Sequence, residues 1–269
     1  MDAGVDQSGG MKRAARVCLT FSLTIAALSL TWLFSSSPSA DAQGANPWTL
    51  GIVDASFIWN PPPSVPASID TCAAHLAKQN GYNAANASRG TISPLQVCLV
   101  RTMHEHGASK NAVAFTKWFY ATPDGDSAYI TSLAKPQYGP VQLAGIFYPG
   151  RANNNGAYLF VNGTNPRVVD PNAIFARDAQ PWERNADYHS ILSAHPNAFV
   201  YPALSFVGLT RRDGGGQRFT FTAWVLDGCH GCARLGMIDL AFEFGNLGAP
   251  KDAYVVAVRR CSASGTECK

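Results

Sequence analysis

Hydrophobic positions recur at two different periods along the chain, and the change from one to the other divides the sequence. Between Ser68 and Tyr120 the apolar residues fall at helical spacing. Ser68 or Asp70 can cap a first helix that runs to about Gln79 and stops at Asn80-Gly81, where glycine accepts the left-handed conformation of a helix end. Ser93-Pro94 opens a second, with a capping hydroxyl followed by proline at the first helical position. Leu95, Cys98, Leu99 and Met103 continue it towards Gly107, and Ser109 opens a third through Ala112, Phe115, Trp118 and Phe119.

From Pro123 onward the period changes to two, the mark of strands with one buried face. Val141–Tyr148 and Ala157–Val161 flank a Pro-, Gly- and Asn-rich stretch and read as a hairpin. A short helix is expected near Asn185–Ser193. Beyond it, Ala203–Thr210 leads through Arg211-Arg212-Asp213-Gly214-Gly215-Gly216 into Phe219, Phe221, Ala223 and Val225 on one face, with Thr220, Thr222 and Trp224 on the other. Ile238, Leu240, Phe242 and Phe244 then alternate with Met237, Asp239, Ala241 and Glu243, and Tyr254–Val258 supplies a last strand. Helices followed by short antiparallel strands predict an α+β fold, with an N-terminal helical section packed on antiparallel sheets and a C-terminal β-meander. Residues 43–67, with Pro61-Pro62-Pro63, read as an extended spacer before one α+β domain over 68–269. The helix-then-strand order recurs on either side of 170–185, so two halves remain an open reading without a residue-level repeat.

The N-terminal forty residues change the picture. Met11-Lys12-Arg13-Ala14-Ala15-Arg16 is basic, Val17–Phe34 is apolar, and Ala40-Asp41-Ala42 offers small residues for cleavage before Gln43. Residues 1–42 therefore read as a signal peptide directing export to a periplasmic or secreted destination, with Met1 and Met11 both open as the start. The alternative is an anchor over residues 17–34, borderline for the roughly 20 apolar residues that span a bilayer and softened by its Ser and Thr. Removing 1–42 takes away three acids (Asp2, Asp6, Asp41) and three bases (Lys12, Arg13, Arg16), so the net charge stays at +3. That balance is too weak and scattered for a nucleic-acid footprint. Membrane contact is expected only if the leader is retained. Asn86-Ala87-Ser88 and Asn162-Gly163-Thr164 match glycosylation acceptors.

An oxidising destination changes how cysteines are read. Without Cys18 six remain, and proximity in sequence favours Cys72 with Cys98, Cys229 with Cys232 and Cys261 with Cys268. Cys229-His230-Gly231-Cys232 carries the most local chemistry. Its setting between two alternating strands predicts a hairpin tip stapled by a disulfide, because a thiol-exchange site normally sits where a helix N-terminus lowers the thiol pKa. Redox exchange at Cys229 and Cys232 is the alternative. A zinc site would need Cys261 and Cys268 at an unusually wide spacing, and haem attachment would need His where Ala233 stands. No metal or other cofactor is expected.

His104-Glu105-His106 holds proton carriers and metal donors, but on a helix residues two apart diverge by about 200°, so histidines near a helix C-terminus explain them better. His75 is their only prospective partner on the first helix, and only if Cys72 and Cys98 pair. Trp182, Glu183, Asp187 and His189 could line a ligand pocket, although Trp182 is equally suited to covering the core. No nucleophile elbow, Walker loop or H-E-x-x-H helix is present. The expected function is a non-catalytic exported binding or interaction module for a small molecule, glycan or protein. The alternative is an exported enzyme of thiol-disulfide exchange.

Overall fold

The computed structural model describes residues 52–83, 92–122, 125–135, 138–151, 155–164, 166–262, 265 and 267–269. The leader, the 17–34 segment and the Asn86 acceptor lie outside these residues.

Three helices come first: α1 (Val65–Gln79), α2 (Pro94–Glu105) and α3 (Lys110–Tyr120). The α2 and α3 starts follow from their caps, since the hydroxyls of Ser93 and Ser109 accept from the backbone N–H of Gln96 and Ala112 at 3.1 and 3.0 Å. The first helix begins three residues before the expected Ser68. Pro66, inside the 43–67 stretch read as a spacer from Pro61-Pro62-Pro63, falls in its first turn, where a missing N–H costs nothing, and helps to start the helix. Upstream, a short 3-10 turn over Ala55–Phe57 precedes Trp59, whose N–H donates to the Ile130 carbonyl at 2.9 Å. Part of the stretch expected to be extended is thus tied to the edge of a sheet.

That sheet has three antiparallel strands in the order β1 (Tyr129–Leu133), β2 (Gln142–Phe147) and β3 (Gly156–Val161). After two 3-10 turns, Pro171–Ala176 and Pro181–Arg184, comes α4 (Ala186–Ala194). A five-stranded sheet follows, formed by β4 (Ala198–Val200), β5 (Ser205–Arg211), β6 (Gln217–Asp227), β7 (Arg234–Phe244) and β8 (Pro250–Arg260). The meander β6-β7-β8 is antiparallel throughout, and β4 and β5 both pair with β6. The fold is α+β, with helices preceding a C-terminal antiparallel meander.

Alternation decides which face of the meander is buried. Phe219, Phe221, Ala223, Val225, Ile238, Leu240, Phe242 and Phe244 point into one cluster that also takes Val141, Leu143 and Phe160 from the first sheet. Phe160 is its hinge-pin, with ring centroids 4.9, 5.8, 5.4 and 4.8 Å from Phe219, Phe221, Phe242 and Phe244. A second cluster joins Trp59, Val65, Ile69, Cys98, Leu99, Met103 and Val113 beneath α1, α2 and α3.

All three locally expected disulfides are formed: Cys72–Cys98, Cys229–Cys232 and Cys261–Cys268. The first pins α1 to α2, with Cys98 fully buried. Among the described residues no helix is long and apolar enough to cross a membrane.

Candidate functional site

One face of α1, beside the face that packs on α2 through Ile69, Cys72 and Leu76, carries Asp70, Ala73, Ala74 and Ala77 at i, i+3, i+4 and i+7. Alanine methyl groups there leave the space beside the start of α2 and the β2–β3 turn unfilled, and that space is a groove. Its volume is about 520 Å³, within the size range of small-molecule sites. Pro94 and Leu95 from the start of α2 form the opposite wall, Tyr82 closes one end, and Gly150 and Arg151 of the β2–β3 turn border it. The Cys72–Cys98 link beside Ala73 fixes the two helical walls relative to one another. Gly150 is required here, with φ at 82° and a would-be Cβ only 2.9 Å from the Leu95 side chain.

The charges of the groove are unequal in availability. Arg151 ion-pairs with Asp126 at 3.0 Å, and its guanidinium carbon sits 3.4 Å above the centre of the Tyr148 ring. Burial, with Asp170 second, pushes the Tyr148 phenol well above its ordinary value, so the ring beneath the cation stays neutral. Asp70 is exposed, and among the described residues it makes no ion pair.

The five-stranded sheet contrasts with this, because its carboxylates Glu243 and Asp239 are each held by arginine. Glu243 accepts from Arg218 Nε and Nη2 at 2.8 and 2.6 Å and from the Tyr254 hydroxyl at 2.8 Å, and Arg212 lies at 3.3 Å. The hydrogen bonds from Arg218, followed by that from Tyr254, hold its carboxyl below the usual range. Arg259 pairs with Asp239 at 2.7 Å, and Arg234 stacks 4.2 Å over Trp224.

Cys229 and Cys232 stand at the β6–β7 hairpin tip, both exposed, with Gly228 at φ 77° and the Cys232 N–H donating to the Cys229 carbonyl at 3.1 Å. The His230 ring lies 4.6 Å from that of Tyr201. Nearby, His195 Nδ1 and Asp227 Oδ2 are 3.2 Å apart, a pairing across 32 residues with no local sequence signal. Cys261 and Cys268 form an antiparallel bridge at the C-terminus. No group of three potential metal ligands occurs among the described residues.

The remaining sequence candidates are dispersed. His104 is in the last turn of α2, His106 caps it, and both are exposed, as is His75 on α1. Trp182 is 3% exposed and packs 5.3 Å from Phe175, so its aromatic surface belongs to the core and is not open to a ligand. Glu183 accepts from the Gln180 N–H at 3.2 Å, whereas Asp187 and His189 are exposed on α4. The Asn162 amide of the second glycosylation motif donates to the Val53 carbonyl and to Gln142 at 2.8 and 2.6 Å, so that nitrogen is engaged within the fold.

Sequence reasoning read Asp70 only as a possible helix cap, whereas it lies inside α1, and passed over Arg151 and the alanine run. The i, i+3, i+4, i+7 spacing of small residues behind an acid was the one available signal, but what lies opposite α1 is set by residues 17 to 81 positions away. No protein-family model matches the chain, and no curated protein or solved structure shows significant similarity to it.

Proposed function

We propose that this chain is an exported, disulfide-braced binding protein whose ligand site is the groove between α1, α2 and the β2–β3 turn. One observation carries the reading: an open, mainly apolar groove whose helical walls are crosslinked by Cys72–Cys98. Preformed walls favour binding, because less conformational freedom is lost when the ligand enters. Export is supported by the basic-apolar-small pattern of residues 11–42 and by the three disulfides. The neutral fluorescent probe N-phenyl-1-naphthylamine tests the site. Its emission rises with the wild-type protein, and Ala74→Trp, which fills the groove from the α1 side, removes the rise while leaving the thermal unfolding profile intact. An identical response from the folded variant overturns the assignment.

A second reading, thiol-disulfide exchange, is favoured by the exposure of both tip cysteines beside His230. A dithiol donor would supply two electrons: its thiolate attacks one tip sulfur, the other leaves as a thiolate, and the donor's second thiol resolves the mixed disulfide. The reduced Cys229 and Cys232 then pass the two electrons to a disulfide of the protein substrate by the same two displacements, and the tip disulfide is restored. Insulin reduction with dithiothreitol as electron donor tests this reading. Turnover that Cys229→Ser with Cys232→Ser abolishes supports it, and a wild-type rate equal to that of dithiothreitol alone refutes it.

A further inference from the structure

We infer that the groove selects amines, taking a protonated amino group at Asp70 and an apolar body along the alanine face. The inference rests on the groove being a binding site and adds the class of its ligand. Asp70 and Ala77 are separated by seven helical positions, about 10 Å of rise, and the wall between them offers only the methyl groups of Ala73 and Ala74. Leu95 and Pro94 face that wall, so a ligand lying along the groove is apolar over most of its length. Its charge preference follows from which groups remain unpaired. Arg151 is held by the Asp126 carboxylate and by the face of Tyr148, and turning it towards an incoming anion would give up both contacts. Among the described residues Asp70 has no such partner, and beside an apolar wall its exposed carboxylate is a hydrogen-bond acceptor open to a donor. Among the described residues Asp70, Asp126 and Arg151 sum to one net negative charge at the groove, which repels a carboxylate or phosphate and attracts an ammonium group. The ring of Tyr82 at the Ala77 end is a further apolar and cation-tolerant surface.

Hexylammonium and hexanoate share one apolar body and differ in the sign of their charge, so they isolate the claim. Each is used to displace N-phenyl-1-naphthylamine from the wild-type protein and from Asp70→Asn. Hexylammonium is expected to displace the probe from wild type at about fivefold lower concentration than hexanoate, the scale of one partly exposed ion pair. The advantage shrinks in 0.5 M salt as the pair is screened. In Asp70→Asn the two compounds become equivalent within twofold. Equal displacement from wild type, a preference for hexanoate, or an amine preference that survives Asp70→Asn overturns the inference and leaves the binding groove standing. Failure of the neutral probe to respond to Ala74→Trp removes the groove itself, and the inference with it.

Discussion

Replacing Cys72 and Cys98 together with alanine tests whether the helical layer depends on its crosslink. The two cysteines are 26 residues apart, and in the loop-entropy treatment closing that loop in the unfolded chain stabilises the fold by about 3.5 kcal/mol. The Cys229–Cys232 ring spans a separation of 3, for which the same treatment gives about 1.6 kcal/mol. The difference of about 2 kcal/mol comes from the logarithm of loop length alone and is independent of the constant in the expression. Cys98 is fully buried among Ile69, Leu99 and Met103, so alanine there also removes packing, which adds to the loss. For a chain of this size each kcal/mol lowers Tm by about 2–4 °C, so the Cys72/Cys98 pair should cost about 7–14 °C and the tip pair about 3–6 °C. Circular dichroism melts of the wild type and the two double variants, without reductant, provide the comparison. Equal shifts, or a larger one at the hairpin tip, would refute the loop-length reasoning. Free thiols at Cys72 and Cys98 in native protein, found by peptide mass spectrometry, would remove its premise.

Further expectations concern separate parts of the molecule. Glu243→Gln should lower urea-unfolding stability by about 1–2 kcal/mol at pH 7, since a carboxylate held by Arg218 and Tyr254 becomes a neutral amide. Its folded pKa lies below the unfolded one, so this stability is present above the ordinary carboxylate range and is lost as pH falls through the lowered value. The difference between wild type and variant should therefore close at acid pH, and a gap that stays constant from pH 7 into that range would contradict the account. Phe160→Ala should cost about 3–5 kcal/mol in denaturant unfolding, because it opens a void among Phe219, Phe221, Phe242 and Phe244; a cost below about 1 kcal/mol would mean the two sheets do not depend on it. N-terminal sequencing of exported protein should begin at or near Gln43, whereas intact chains starting at Met1 or Met11 in the membrane fraction would favour the anchor over residues 17–34.

Features governed by neighbouring residues were determined by the sequence itself. Ser93-Pro94 and Ser109 set the starts of α2 and α3 because a cap reaches only two or three residues along the chain. The burial of Phe219, Phe221, Ala223 and Val225 follows from period-two alternation, and the Cys229 turn from two alternating runs joined by a short glycine-containing link. The α1 start was misread because proline has two meanings, breaking an extended or helical interior but fitting a first turn, and only the packing of Val65 and Ile69 selects between them. Trp182 was similarly ambiguous: an aromatic side chain is as fit for a pocket as for a core, and its contact with Phe175 decided the matter. Tertiary structure alone decided that β4 and β5 share β6 as partner, that Phe160 joins the two sheets, and that Asp70, Leu95 and Arg151 border one groove. The reason is physical. Caps, turns and alternation are local free energies that a short window contains, whereas a groove is the space left when distant elements pack, and its free charge is known only once every other charge has found its partner.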